Sequence, residues 1–547
     1  MSHRQTLQPV AQPAGLPEEC GPVVVTRPAA WGPTEIARAR RYAEAGGAVV
    51  VPVADRPSSD EAGVMAGWLD LLGVTRGPDL PAAEVVVEPV PHTVTRNIVP
   101  TVLDLGSAPH DARRLRTAAM TTVEAIPVLT TPLGLQDHTL VSERPMGSGR
   151  VVGVAVPGWL DLPAVHAVRR VVDRLARQAY DSAATTSLGL GIVGYGQHGG
   201  MGWLHGRACG EVEGLHLAAI AELDQHRLSD ASERFPEASP HTRIESLLAD
   251  DSVDVVVVAT PPSTHYELTC RVIEAGRHVV VEKPLCFTAA EADDLIGRAA
   301  SAGVTLTVHQ NRRWDADYRA ISRLIRSGRL GEVFNIETFV GSFEHPCTLW
   351  HSDREVSGGR LYDWGAHLID QILQLFGGAA PTVVAATGHK RVWHDVTNLD
   401  QVRVRMRFAD GREAEFLDSD VLAVRRPKYL VQGTRGTVVG EYQPVVEERV
   451  TADHGYQLTE HHHAEGPARL RFAEHHTGWG LQDTVVPGLP AASFPFHRAL
   501  ADHLQLGDAV PVDPAGVRTV IAVLEAATVS ARDGGRPVEL VEPSGDQ

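Results

Sequence analysis

The sequence predicts an α/β protein of three successive folded parts, and three observations predict it. From residue 188 onward, short apolar runs at 188–193, 215–221, 254–259, 278–281 and 304–308 alternate with helical patterns. Runs such as DVVVVAT (254–260) are apolar on both faces, as strands of a parallel sheet covered on each side must be. Farther on the pattern changes: QVRVRMRF (401–408) alternates strictly, Asp410-Gly411 supplies a tight turn, and REAEFLDSDV (412–421) returns. That is a hairpin in an antiparallel or mixed sheet. Before all this, PVVVT (22–26) and AVVVPVA (48–54) flank a helix opened by Gly32-Pro33-Thr34 and closed by Gly46-Gly47, a separate α/β building block.

At 547 residues the chain exceeds what one hydrophobic core holds. Residues 1–20 read as a polar, proline-containing tail, 21–178 as an N-terminal α/β domain, and AYDSAATTS (179–187) as a linker. In the N-terminal domain RVVGVAV (150–156) is a strand, and Val165, Val168, Val172 and Leu175 share one face of the helix after it. Residues 188–310 form the parallel-sheet domain and 311–547 an α+β domain on an open sheet. Thr288 with Glu291 three residues later is a capping box opening a helix.

A net charge of −18 argues against nucleic acid or an anionic membrane as partner, since both select basic surfaces. The apolar runs are too short to span a bilayer, the first residues lack the apolar core of a signal peptide, and a cytoplasmic location is expected. Five scattered cysteines without a CxxC pair suggest neither a disulfide framework nor a cysteine zinc site. The run His461-His462-His463 reads as a solvated loop, because adjacent histidines cannot all face one ion; no metal is expected.

LGLGIVGYGQHGG (188–200) runs from a strand into a glycine-rich turn. Gly194, Gly196 and Gly199 fit G-x-G-x-x-G, in which glycine permits a tight turn and close approach of backbone to a pyrophosphate. Tyr195, Gln197 and His198 fall in the same loop. The next strand ends in IAELD (220–224), where Glu222 is placed to accept bonds from adenine-ribose hydroxyls and to repel a 2′-phosphate. NAD is therefore the expected cofactor, with NADP left open by nearby His226 and Arg227.

Four ordered motifs, ATPPSTHYEL (259–268), VEKPLCFTAAEADDL (281–295), HQNRRWD (309–315) and GGRLYDWGAHLID (358–370), resemble the glucose–fructose oxidoreductase/inositol dehydrogenase/MocA family over about 188–547. The chain reaches His205 about three residues later than that family reaches its helix histidine, so Gly202 competes with Gly199 as the third glycine. The resemblance implies a Rossmann cofactor domain, with Thr260, Pro261 and Pro262 on the adenosine side and Glu282, Lys283 and Pro284 in a turn beside the nicotinamide. It also implies Asp363 and His367 as the catalytic pair, Asn311, Arg313, Trp314, Trp350 and Tyr362 around a sugar pocket, and a homo-oligomer, dimer or tetramer.

The chemistry agrees with that placement. Oxidising a secondary alcohol needs a base titrating near neutrality, and histidine, with an ordinary pKa of about 6.5, fits. Asp363 and His367 are four residues apart and share one helix face. Lys283 is suited to stabilise developing alkoxide charge, or to act as the base itself. The expected activity is hydride transfer between NAD(P) and a hydroxyl or ketone of a sugar, inositol or related polyol. Two alternatives stay open: a glycosidase or epimerase that retains its NAD, and a non-catalytic dinucleotide-binding regulator. Residues 21–178 resemble the glutamine-amidotransferase-like domains through "YAEAGG" and "GSGRVVGVAVPGW". That fold's active members use a cysteine on a strand-to-helix elbow; here the only cysteine before the linker is Cys20, so a structural or assembly role is expected.

Overall fold

The structure is a computed structural model. It describes residues 8–10, 22–25, 28, 31, 33–45, 48–53, 62–72, 74–79, 84–89, 101–104, 118–122, 126–133, 136–146, 149–155, 168, 171–172, 174–175, 187–196, 201–347, 349–451, 455–461, 466–478, 480–489, 491 and 493–540. The chain divides into two compact units, residues 1–186 with 501–509, and residues 187–500 with 510–547.

The first unit is built on a ten-stranded mixed sheet. Its strands Pro22–Val25, Ala48–Pro52 and Gly149–Val154 run parallel, and helices Pro33–Glu44 and Ala62–Leu72 supply the apolar faces against them. Trp31 and Trp68 pack ring to ring 5.4 Å apart, sealed among Val23, Val49, Val51 and Val151. The expected N-terminal tail needs correction at one point, because Gln8–Val10 pairs in parallel with Pro22–Val25. Its backbone amides and carbonyls are satisfied by a strand edge that would otherwise be bare. On the helix expected after residue 156, Val168, Val172 and Leu175 are buried as predicted, while Val165 lies outside the described residues.

The second unit opens with six parallel strands in the order Ser239–His241, Leu215–Ala221, Leu188–Val193, Val255–Val258, His278–Val281, Leu306–Val308. This is the doubly wound order in which ligands bind beyond the strand ends where the winding reverses. Val255 to Val258 are wholly buried because helices cover both faces. The Thr288–Glu291 capping box is present, and the helix it opens, Ala289–Ala302, ends on left-handed Gly303.

The rest of this unit is a nine-stranded mixed sheet. Gln401–Arg407 and Glu413–Ser419 form the expected hairpin, in register, with Gly411 at φ +86° in the turn. Val402, Val404 and Met406 point inward, and Arg405 and Arg407 point outward to pair with Glu415 and Glu413. Helix Arg360–Leu375 lies between this sheet and helix Pro514–Arg532. A Cβ on Gly365 would come within 3.0 Å of Leu524 and 3.3 Å of Phe416, so glycine sets how closely these layers approach. Helix Pro514–Arg532 is long and apolar enough to cross a membrane by length and composition, but Val517, Val520, Ile521, Val523 and Leu524 are spent in this core.

Candidate active site

Strand Leu188–Val193 ends in Gly194 at φ +88° and Gly196 at φ +72°, conformations that side chains with a Cβ rarely adopt. A Cβ on Gly194 would sit 2.8 Å from Thr260 Cγ2, whereas the corresponding position on Gly196 meets nothing within 4 Å. Among the described residues nothing covers the backbone there, which suits close approach of a dinucleotide pyrophosphate. Helix Met201–Glu211 follows, and a Cβ on Gly202 would lie 2.6 Å from the Tyr195 carbonyl oxygen. Gly202 therefore does what a third glycine must, letting helix and loop pack closely. Gln197, His198 and Gly199 lie outside the described residues. The Tyr195 ring is buried edge-on against Phe235, so what it offers a cofactor is backbone.

Two carboxylates sit differently from expectation. Glu222 Oε2 accepts the amides of Tyr195 (3.0 Å) and Gly196 (3.2 Å), and Oε1 accepts that of Asp224 (3.0 Å). Rather than reaching for a ribose, it braces the glycine loop, whose amides have no strand partner at this turn. Glu282 turns inward to His205 and His309 instead of toward the expected nicotinamide. In the segment expected to face the adenosine, the hydroxyls of Thr260 and Thr264 lie 2.7 Å apart, Pro261 is half-buried and Pro262 is buried. His265 ties this segment to the next turn, with its ring nitrogens 2.8 Å from the Thr260 carbonyl and 2.7 Å from that of Pro284.

Lys283 emerges from the end of strand His278–Val281 and meets the first turn of helix Arg360–Leu375. Its Nζ bonds the Asp363 carboxylate and lies 3.3 Å from the Asp363 carbonyl. Burial would raise the Asp363 pKa, but Lys283, Arg360 and His367 hold it below the usual carboxylate range. One turn on, His367 is buried, and its Nδ1 lies 3.1 Å from Gln310 Oε1. Gln310 is oriented in turn, since its amide nitrogen donates to the Ala366 carbonyl at 3.0 Å. The amide oxygen must then face His367, so Nδ1 carries the proton and Nε2 keeps its lone pair. Burial first, then the positive charges of Lys283 and Arg312, push the His367 pKa well below its ordinary value. The expectation of a histidine titrating near neutrality is corrected: this one is held neutral.

Among the other predicted site residues, Arg313 and Tyr362 bond to groups inside the protein. Arg313 forks onto Asp370 at 2.8 and 2.6 Å, a bidentate pair that fixes the guanidinium through Nε and Nη2. The Tyr362 ring packs edge-on against Phe287 and its hydroxyl donates to the Phe287 carbonyl at 2.7 Å, so it is a packing residue. Trp314 is half-buried and meets Phe496 edge-on, with ring centroids 6.0 Å apart. Asn311 is half-buried in the turn Asn311–Trp314, and Trp350 stacks on His351 with centroids 3.6 Å apart.

Sequence reasoning missed Gln310, which stands inside a quoted motif but whose side-chain direction only the fold sets. It also missed the surroundings of Asp363. Arg360 bridges Asp418 (2.5 Å) and Asp420 (3.1 Å), and burial pushes the Asp418 carboxyl up to about 7 against the pull of Arg360. Asn398 Oδ1, Asp418 Oδ2 and Asp420 Oδ2 are buried acceptors without a donor among the described residues.

Comparison with known proteins agrees with this architecture. Residues 188–310 match the family described as "Oxidoreductase family, NAD-binding Rossmann fold", and residues 318–439 match the "GFO/IDH/MocA C-terminal domain". A scyllo-inositol 2-dehydrogenase (NADP(+)), IolW of Bacillus subtilis, is 27% identical over 350 residues, 63% of this chain and 94% of that protein. A 1,5-anhydro-D-fructose reductase of Ensifer adhaerens is 31% identical over 201 residues, 36% of this chain and 60% of its own. Among solved structures, GenD2 from gentamicin A biosynthesis, in complex with NAD, is 26% identical with a TM-score of 0.53, over 65% of this chain and 97% of that one. An NAD-binding protein from Listeria innocua shares the fold at 24% identity and a TM-score of 0.55, over 65% of this chain and 97% of its own. The matched residues, 188–310 and 318–439, are those of the Gfo/Idh/MocA family, and this part of the chain is an NAD(P)-binding oxidoreductase.

Proposed function

We propose that this protein is a dehydrogenase or reductase acting on a secondary hydroxyl, or the corresponding ketone, of a neutral sugar, inositol or related polyol, with NAD preferred over NADP. The observation that carries the reading is a buried histidine whose Nδ1 is engaged by Gln310 and whose Nε2 has no partner among the described residues, one helical turn from the Lys283–Asp363 pair. A neutral imidazole whose Nδ1–H is engaged keeps a lone pair at Nε2 that can accept a proton. In the oxidation direction His367 Nε2 takes the hydroxyl proton, and the same atom returns it in reduction. Lys283 donates a hydrogen bond to the substrate oxygen, where it opposes the negative charge that builds as the proton leaves. Asp363 holds the ammonium in place. Bound nicotinamide supplies the hydride acceptor or donor, and the glycine turn at 194–196, Thr260, Pro261 and Pro262 would hold the dinucleotide.

Charge supports the neutral class of substrate. The Asp363 side chain is a third open and suits a hydroxyl donor, while the buried Asp418 and Asp420 add negative field that opposes a phosphate. The inositol and anhydrofructose enzymes among the relatives support the same class. NAD preference rests on the Glu222 carboxylate at the end of the second strand. Residues 21–178 read as an amidotransferase-like unit without catalysis, the chain having no cysteine between Cys20 and Cys209. A cytoplasmic homo-oligomer completes the reading.

The test is a panel of inositols, sugars and sugar phosphates with NAD and NADP, followed by the absorbance of reduced nicotinamide. Turnover is expected on neutral polyols and not on their phosphates, and Lys283→Met should lower kcat by about 10²–10³. Turnover without net nicotinamide reduction, or a fully active Lys283→Met enzyme, would overturn the proposal.

A further inference from the structure

Behind the Glu282–Lys283 turn lies a sealed cluster that the reaction above does not use. His205 comes from helix Met201–Glu211, His309 from just beyond strand Leu306–Val308, and His497 from helix Pro495–Leu506. All three are at most 2% exposed, and their ring centroids lie 4.7, 4.9 and 5.4 Å apart. Glu282 Oε1 is 3.0 Å from His205 Nε2 and 2.7 Å from His309 Nδ1, and His205 Nδ1 is 2.8 Å from His497 Nε2.

The protons in this cluster have one consistent order. An ionised carboxylate only accepts, so His205 must present Nε2–H to it and His309 must present Nδ1–H. Burial favours the neutral ring at His205 and His497. A neutral His205 then has a lone pair at Nδ1, which His497 fills with its own Nε2–H. His497 is left with a bare Nδ1, and that atom is indeed buried without a partner among the described residues. A metal would need a different spacing: zinc–nitrogen bonds of about 2.0–2.1 Å hold tetrahedral ligand nitrogens about 3.3 Å apart, wider than the 2.8 Å between His205 and His497.

We infer that His205, His309 and His497 are positioning residues for the catalytic pair, acting through Glu282 and Gln310. The inference rests on the reading of Lys283 and His367 as catalytic, and it adds the device that aims them. Glu282 Oε2 accepts the backbone amide of Lys283 at 3.2 Å, so the carboxylate that the histidines hold also holds the lysine's backbone. His309 is followed directly by Gln310, the residue that sets the His367 tautomer. One buried carboxylate thus braces the ends of two neighbouring strands, one carrying Lys283 and the other Gln310. His497 terminates the chain of bonds. Without its N–H, His205 is free to move its proton to Nδ1, which turns a lone pair toward Glu282 and releases it.

Two measurements on the full-length protein test this. Long-range ¹H–¹⁵N spectra of histidine-labelled protein should show His205 and His497 protonated on Nε2 and His309 on Nδ1. In kinetics, His497→Phe keeps the ring's bulk and removes the donor; kcat should fall about tenfold to a hundredfold, the loss that misplacing reacting groups by a fraction of an ångström brings, with KM for NAD and polyol within about twofold. His497→Gln places an amide N–H at similar reach and should restore most of the rate. Three results would each overturn the inference: His205 protonated on Nδ1, kcat of His497→Phe within twofold of the parent, or a stoichiometric transition metal in the purified protein. If Lys283→Met proves silent, the catalytic reading fails by itself, and the nitrogen spectra still decide the proton order behind it.

Discussion

Two consecutive residues, Glu282 and Lys283, face opposite worlds. Behind the turn, Glu282 sits in a sealed pocket where each close partner is another protein group. In front, the Lys283 and Asp363 side chains keep about a fifth and a third of their surfaces open, 21% and 33%. The difference teaches how a site divides its labour. A buried charge must be satisfied internally, so its partners are fixed and it confers geometry. A charge at the cleft is left partly open, so it keeps capacity for a substrate. His367 stands between the two, with one nitrogen locked by Gln310 and the other unclaimed by any described residue.

The largest effect should come from the cleft. His367→Phe removes the proton acceptor and keeps the packing; kcat should fall about 10²–10⁴ while the melting temperature stays close to the parent's. An equal loss of stability would make His367 a core histidine and erase the distinction between the two sides. Next comes the joint between them. Gln310→Leu frees the His367 tautomer, and kcat should drop about tenfold to a hundredfold with KM nearly constant; unchanged kcat would show that the tautomer is set by something else.

Acid should act mainly on the buried imidazoles of both sides. Burial lowers the pKa of His205, His265, His367 and His497, so below about pH 6.5 the unfolded chain binds protons that the folded state refuses. Each ring can remove up to about 1.4 kcal/mol of stability per pH unit below that point. Glu282 adds to the loss at lower pH: its histidine neighbours hold its pKa down against burial, so its contribution fades as pH falls through that lowered value. Asp418 and Asp420, raised by burial, work in the opposite sense, losing stability as pH rises. Four rings against two carboxyls predict a net fall in urea midpoint between pH 7.5 and 5.5. A flat profile would mean that these rings are wet or already charged in the folded protein.

The smallest effect is expected far from both. Glu222→Gln keeps an acceptor for the loop amides and removes the charge. The preference for NAD over NADP, measured as a ratio of kcat/KM values, should shrink several-fold, up to about tenfold. If the ratio does not move, Glu222 serves the loop alone.

Much of this was legible beforehand because it is written in local patterns. The parallel strands show as runs apolar on both faces, the hairpin as strict alternation around Asp410-Gly411, and the capping box as Thr288 with Glu291. Asp363 and His367, four residues apart, had to share a helix face. Direction of side chains across the fold was not legible. Nothing local says that Glu282 turns inward while Lys283 turns toward Asp363, that Glu222 is taken up by the glycine loop, or that Arg313 is held by Asp370.

By itself, then, the sequence determined which segments become strands and helices and which residue types were on hand for proton transfer, because periodicity and turn chemistry act over a few residues. Only the tertiary structure decided which groups are claimed by the interior. Whether a carboxylate or an imidazole is free depends on burial and on partners tens to hundreds of residues away, as His497 and His205 are.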